Sequence, residues 1–205
     1  MEKEINNNGY DYVDLGLPSG TLWATCNAGA SKPSDYGLYF QWGDTKGYTK
    51  SKIGRGDGKK KFALDWSDYK WGSEPTFTKY TAIGATLELE DDAANANMGG
   101  SWYMPSPMQI QELLDNTTNA WTTQDGVNGR LFTSTKDTSK SIFVPAAGGA
   151  WDGTVRGSGD YGGVWSSMLN AGYVNYGQRL DFGSGDVVLY GYSRFRGLPV
   201  RGVIG

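Results

Sequence analysis

The chain has 205 residues and a formal net charge of −3, with 38% hydrophobic and 14% aromatic residues. This length suits one domain, and the acidic balance provides no basic face for nucleic acid. Histidine is absent, which removes the serine–histidine and cysteine–histidine catalytic pairs and the helical zinc motif. The single cysteine, Cys26, excludes an intrachain disulfide, and its small and apolar neighbours favour a buried position. No apolar run approaches the roughly 18 residues of a membrane span, and the first residues do not form a signal peptide.

The first part of the chain alternates between short apolar segments and polar loops. Residues 1–9 are polar and predict a disordered segment or linker. Residues 10–23 predict two short strands, because apolar residues alternate before and after a Pro-Ser-Gly turn. Residues 31–40 predict a short helix with Ser34 as its cap. Residues 43–62, which are rich in Gly, Lys and Asp, predict a long exposed loop.

Helical patterns continue in the middle of the chain and then give way to strands. Residues 90–98 predict a second short helix, and residues 106–114 predict a third, with Ser106 as its cap and an apolar stripe. Strands are predicted at residues 121–123, 129–133 and 141–145, and at 180–189 around a Gly-Ser-Gly turn. The sequence therefore predicts an α+β fold, with two or three short helices early and many short, mostly antiparallel strands late.

The last third of the chain has an unusual composition. From residue 141 onward there is no Lys and no Glu, and the stretches 171–176 and 190–196 mix Tyr, Arg, Gly and Ser. Tyrosine offers a large, rigid contact area at low entropic cost, and arginine adds forked hydrogen bonds, as in antibody-like binding surfaces. A twisted sheet with aromatic cross-strand pairs would have a similar composition. Composition alone leaves both interpretations open.

Six phrases that occur in a fixed order resemble one known family. They lie at residues 12–24, which include Asp-Leu-Gly-Leu-Pro-Ser-Gly-Thr-Leu-Trp, and at residues 35–43, 91–105, 142–148, 165–167 and 199–201. Together they resemble a bacterial major paralogous domain with a C-type-lectin-like fold, akin to the formylglycine-generating-enzyme fold. The resemblance extends from about Tyr10 to Val203 and implies that residues 10–205 form one ligand-binding domain.

Within that family, the chain is most similar to the variable proteins of diversity-generating retroelements, in which adenine-directed mutagenesis rewrites codons near the end of a gene. The resemblance implies a variable region at about residues 163–203. The mutable codons can yield Tyr, Gly, Ser or Arg but not Lys or Glu, which agrees with the composition after residue 140. The positions expected to be diversified and to contact ligand are Ala171, Gly172, Tyr173, Val174, Tyr176, Arg179, Asp181, Val188, Tyr190, Gly191, Tyr192, Ser193, Phe195 and Arg196. The positions expected to stay fixed are Met168, Gln178 and residues 165–167, 183–185 and 199–201.

The resemblance implies binding without catalysis, so no catalytic residue, metal ligand or cofactor is expected. The cysteine chemistry of formylglycine-generating enzymes is missing, and the sugar-binding motifs of calcium-dependent lectins have no counterpart beyond Glu74-Pro75-Thr76, which comes too early. A structural calcium ion on loop carboxylates stays open.

The expected partner is a protein or glycan on a cell surface. It would be bound at a phage tail tip or a bacterial surface, by a homo-oligomer or by a chain attached to a larger assembly. Two alternatives remain: a glycan-active or formylglycine-type enzyme, and an invariant surface or pilus-tip module.

Overall fold

Strands dominate the architecture. The computed structural model describes residues 8–56 and 61–205, of which 38% is strand and 11% helix. The strands are β1 (Tyr12–Val13), β2 (Leu22–Asn27), β3 (Thr117–Gln124), β4 (Val127–Ser134), β5 (Ser141–Pro145), β6 (Gly149–Trp151), β7 (Thr154–Arg156), β8 (Tyr161–Leu169), β9 (Tyr176–Gly183), β10 (Val187–Ser193) and β11 (Arg201–Ile204). The helices are α1 (Ala93–Met98) and α2 (Pro107–Asn116), with 3-10 turns at Lys50–Lys52 and Leu89–Asp91. Most of the N-terminal linker expected at residues 1–9 lies outside the described residues.

The α+β arrangement with two or three short helices early in the chain, expected from the sequence, is wrong. Two strands precede both helices, and the strands form four small antiparallel sheets. The helix expected at residues 31–40 does not form. Gly37 has a left-handed φ of +75°, and the backbones of Phe40 and Leu198 exchange hydrogen bonds, which draws this segment into strand-like pairing with the end of the chain.

Several local predictions are confirmed. Helix α2 begins after Ser106, whose hydroxyl accepts a hydrogen bond from the Gln109 N–H, while the Gln109 side chain accepts one from the Ser106 N–H. Ile110 and Leu113 of its apolar stripe are fully buried. The strands expected between residues 121 and 145 fall within β3, β4 and β5, and β9 and β10 form the expected hairpin.

Two burial expectations are corrected. The segment at residues 43–62 is not a uniformly exposed loop, because Tyr48 and Ile53 are buried in a small apolar cluster. Tyr48 is held there by backbone hydrogen bonds to Tyr39 in both directions. Cys26 is half-buried rather than buried.

The four sheets surround a core rich in large rings. Their strand orders are β1-β2-β11, β10-β9-β8, β3-β4-β5 and β6-β7, and each of these pairings is antiparallel. Helix α2 packs through Ile110 and Leu113 into the same apolar cluster as Val164 and Leu180, on one face of the β10-β9-β8 sheet. Four tryptophan side chains are completely buried, at Trp23, Trp42, Trp102 and Trp165.

Two fully buried arginines connect distant segments. Arg201 donates to Asn27 Oδ1 and to the carbonyl oxygens of Ala24, Thr25 and Phe143. Arg194 donates to the Tyr69 hydroxyl and to the carbonyl oxygens of Lys79, Tyr80 and Val174. Burial lowers the pKa of Arg201 to about 10, so its guanidinium remains charged at neutral pH. In both residues every guanidinium nitrogen has an acceptor, which is how a buried charge is tolerated.

Candidate functional site

One face of the β10-β9-β8 sheet packs on α2, whereas the other face packs on the main core at Trp165 and is open towards the edge strand β10. Leu180 lies on the inner face, within the core that includes α2. On the outer face, Arg179 pairs across the strands with Tyr190, and Asp181 pairs with Val188. Because side chains alternate along a strand and cross-strand partners share a face, these four side chains lie together on the side away from α2.

The outer face carries a cavity of about 440 Å³, which falls within the size range of small-ligand sites. Five of the candidate residues line it: Arg179, Asp181, Val188, Tyr190 and Tyr192. The other lining residues are Tyr161, Phe182, Gly183 and Asp186. The wall thus contains four aromatic rings, one guanidinium and two carboxylates.

Arg179 lines this cavity although it is only 5% exposed. Its Nη2 lies 3.0 Å from Asp181 Oδ1, and its guanidinium carbon lies 3.7 Å from the ring centroid of Tyr192. Burial lowers the pKa of Arg179 from its ordinary value, and the charge of Asp181 opposes that change. Nε and Nη1 have no hydrogen-bond partner among the described residues. Buried donors without an acceptor destabilise a fold, so Arg179 differs from the fully partnered Arg194 and Arg201.

A glycine lies next to the Arg179 side chain. Gly163 of β8 pairs with Asp181 of β9. A Cβ at this position would lie 2.9 Å from the carbonyl oxygen of Leu180 and 3.4 Å from Cδ of Arg179. The missing side chain therefore allows the close approach of the Leu180 carbonyl, and the Arg179 side chain lies directly over this glycine.

Tyr192 connects the cavity to a second arginine. The guanidinium carbon of Arg196 lies 4.5 Å from the ring centroids of both Tyr192 and Trp151. Burial raises the pKa of the neighbouring Tyr161 to about 12, and Tyr192 contributes to the increase. Two guanidiniums thus stack on one half-buried tyrosine ring, an arrangement that cation–π attraction favours.

The loop before β9 presents another exposed ring. Tyr173 is 64% exposed, and its ring centroid lies 5.7 Å from that of Tyr176. Asn170 Oδ1 accepts hydrogen bonds from the backbone N–H groups of Gly172 and Tyr173, which hold the loop in place. A cavity of about 230 Å³ lies beside Tyr173, Tyr176 and Tyr190. Tyr190, which is 61% exposed, contributes to both cavities.

The remaining candidates divide between loop and half-buried positions. Ala171 and Gly172 are exposed in the same loop as Tyr173. The half-buried candidates are Val174, Gly191, Ser193, Phe195 and Arg196. Val174 packs against the main core, and the ring of Phe195 lies 4.6 Å from that of Trp66. The structure therefore brings a subset of the candidates together, centred on the outer face of β9 and β10.

Two polar residues of the cavity were missed by the sequence reasoning. Tyr161 lies opposite Gly183 in the β8–β9 pairing, and Asp186 follows in the turn that leads into β10. The alternation of outward side chains along β9, extended across to β8, was a signal that could have located Tyr161. No comparable pattern identified Asp186, which sits in a turn.

An acidic group lies elsewhere, at Glu88, Glu90 and Asp91, whose carboxylates lie within 4.8 Å of one another. Lys79 Nζ contacts all three carboxylates at 2.6 to 3.2 Å, and Lys70 Nζ lies 2.8 Å from Asp91. These ammonium groups already balance much of the negative charge. The group does not by itself indicate a metal. The expectation of no cofactor stays a prediction, and a structural calcium ion stays an open alternative.

Comparisons with protein-family models, curated proteins and solved structures find no match to this chain. Within residues 8–56 and 61–205, no helix combines the length and apolar character that a bilayer crossing requires. The resemblance to retroelement-diversified proteins therefore stays a hypothesis that rests on the ordered phrases of the sequence.

Proposed function

We propose that this chain is a ligand-binding domain that performs no catalysis and whose C-terminal outer face contacts a partner on a cell surface. One observation carries the proposal: Arg179, Asp181, Val188, Tyr190 and Tyr192, selected from sequence as ligand contacts, line one cavity on one face of a sheet. Residues scattered over 14 positions of sequence converge there because they alternate along two paired strands.

The separation between framework and surface supports diversification of this face. Trp165 and Ser166, which belong to a phrase expected to be fixed, are completely buried. Tyr173, Val188 and Tyr190 are exposed by 64%, 43% and 61%. Substitutions at exposed positions usually change stability by no more than about 0.5 kcal/mol. This face can therefore accept many sequences while the core stays the same.

The exposed rings suit the energetics of recognition. Tyr173 and Tyr190 offer large apolar areas with few rotatable bonds, the property that makes tyrosine a frequent hot-spot residue. We infer a role in phage receptor binding at a tail tip or in adhesion at a bacterial surface. Several copies on one assembly would add avidity to each weak contact.

Cell binding tests the proposal directly. A fluorescently labelled protein is applied to a panel of bacterial strains, and the variants Tyr173→Ala and Tyr190→Ala are compared with it. Each variant should bind about fivefold to a thousandfold more weakly, which corresponds to a hot-spot loss of about 1–4 kcal/mol. Met108→Ala is the matched control, because Met108 is 81% exposed on α2. If all three variants bound as strongly as the parent protein, this face would not be the contact surface.

Diversification has its own test in the neighbouring genome. A reverse transcriptase gene and a near-repeat of the last coding stretch are expected, with adenines in the repeat at codons 173, 188 and 190. A repeat that matches the gene at these codons and differs elsewhere would contradict the assignment. The lack of any repeat would favour an invariant surface module.

A further inference from the structure

The charge around the outer-face cavity limits which ligands it can accept. The lining contains one cationic group, Arg179, and two carboxylates, Asp181 and Asp186. Arg179 is already paired with Asp181. An anionic ligand would meet Asp186 and the second oxygen of Asp181, and like charges brought together without water are strongly unfavourable. The cavity therefore favours a ligand without negative charge.

The hydrogen-bonding groups of the cavity point to hydroxyls. Arg179 has two nitrogens, Nε and Nη1, without acceptors. Asp181 and Asp186 offer carboxylate oxygens, and the Asp181 side chain is 26% exposed. The carboxylate oxygens and the two guanidinium nitrogens belong to the same wall, where the nitrogens are covered by the ring of Tyr192. A hydroxyl both donates and accepts, so a molecule with several adjacent hydroxyls satisfies such a wall.

The rest of the lining is apolar and suits a ring. Val188 and Tyr190 are exposed by 43% and 61%, and they occupy the same face as the ring of Tyr192. Aromatic faces carry negative charge density and attract the partly positive C–H groups of a saturated ring. The volume of about 440 Å³ also lies in the range of small-ligand sites. A sugar ring has one apolar C–H face and an edge of hydroxyls, as this lining requires.

We propose that the cavity binds an uncharged pyranose unit of a surface glycan, with Arg179 donating to a ring hydroxyl, Asp181 accepting from one, and Tyr190 packing on the C–H face. The inference rests on the proposed function and names the ligand class of the same face. The free nitrogens of Arg179 lie against the ring of Tyr192, at 3.7 Å from its centroid to the guanidinium carbon. Binding therefore includes a turn of the Tyr192 ring that opens these nitrogens to the sugar.

The experiment titrates ¹⁵N-labelled protein with simple methyl glycosides and follows backbone amide shifts. The neutral probes are the methyl glycosides of glucose, galactose, mannose and N-acetylglucosamine. The anionic probes are methyl glucuronide and the methyl glycoside of sialic acid, and an uncharged capped tripeptide represents a protein ligand. At least one neutral glycoside should shift the amides of β9 and β10, and glucuronide should bind about tenfold more weakly than glucoside.

Two variants test the named contacts. Arg179→Met and Asp181→Asn should each weaken glycoside binding by about tenfold or more, because a polar partner of a hydroxyl is removed. The matched controls are Lys136→Met and Asp137→Asn, which alter a cavity of about 380 Å³ whose lining has no aromatic residue. Both controls should bind the glycoside as the parent protein does. Equal loss in the control variants would overturn the assignment.

The remaining outcomes separate this inference from the proposed function. Tighter binding of the anionic glycosides would overturn the charge argument, and tripeptide shifts in place of glycoside shifts would overturn the sugar assignment. If no glycoside shifts β9 and β10 while Tyr190→Ala still lowers cell binding, the sugar inference fails and the proposed function stands. If Tyr190→Ala and Arg179→Met both leave cell binding unchanged, the proposed function fails as well.

Discussion

Arg201 and Arg179 are both buried, at 0% and 5% exposure, yet the two arginines have opposite surroundings. Arg201 gives every guanidinium nitrogen to an acceptor and connects β2 to β5. Arg179 leaves two nitrogens without partners and borders a cavity. A fully partnered buried charge joins strands together, whereas a partly partnered one at a cavity has donors that the fold itself does not use. This difference in hydrogen bonding distinguishes a residue that stabilises the fold, Arg201, from a residue of the candidate site, Arg179.

The largest effect on stability is expected when Arg201, the fully partnered arginine, is replaced. Arg201→Met should lower the free energy of unfolding by about 4 kcal/mol, because it removes the hydrogen bonds that the guanidinium donates to one side-chain amide oxygen and three carbonyl oxygens. Urea denaturation followed by tryptophan fluorescence measures this change. Arg156→Met, at an exposed position of β7, is the control and should stay within about 0.5 kcal/mol of the parent. A loss below 1 kcal/mol for Arg201→Met would contradict the role assigned to Arg201.

The two faces of β9 and β10 provide the next test. Leu180→Ala should cost about 3 kcal/mol of stability, because Leu180 is fully buried on the inner face and a cavity would remain. Val188→Ala, on the outer face, should cost less than about 0.5 kcal/mol, because this side chain is 43% exposed. Calorimetric melting of the two variants measures both. Similar losses would mean that the outer face is part of the core.

Local patterns explain why one part of this structure could be predicted from sequence. The cap at Ser106 and the apolar stripe of α2 depend on residues within one or two turns, and the β9–β10 hairpin depends on alternation around a short turn. The outward positions of Val188 and Tyr190 follow from the same alternation. Five of the nine residues that line the cavity were selected from the sequence, through the resemblance to retroelement-diversified proteins.

Distant pairings explain what sequence reasoning missed. The segment at residues 31–40 has a helix-like start, but Phe40 pairs with Leu198, and loop closure over 158 residues cannot be read locally. The burial of Arg194 and Arg201 depends on carbonyl groups far along the chain, such as those of Tyr80 and Phe143. Arginine is usually exposed, so the sequence does not indicate which arginines of this region are buried.

Arg179 should respond to replacement in the opposite direction from Arg201. Arg179→Met removes two unpaired buried donors and leaves the partly exposed Asp181 to water, so stability should stay equal or rise by about 1 kcal/mol. The same denaturation experiment measures this change, with Arg201→Met beside it. If Arg179→Met lowered the free energy of unfolding by 2 kcal/mol or more, Arg179 would stabilise the fold as Arg201 does, and the two arginines would not differ in role.

The smallest effect on stability is expected when Tyr190 is replaced. A change in binding by that variant can therefore be separated from a change in stability. Tyr190 is 61% exposed at the sheet edge formed by β10, so Tyr190→Ala should change the free energy of unfolding by less than about 0.5 kcal/mol. Binding should fall in the same variant, because the ring is an exposed part of the cavity wall. Denaturation and cell binding measured on one preparation test both statements. If Tyr190→Ala lowered both stability and binding, the Tyr190 ring would have a structural role. If it lowered binding alone, the ring would contribute to ligand binding without being needed for the fold.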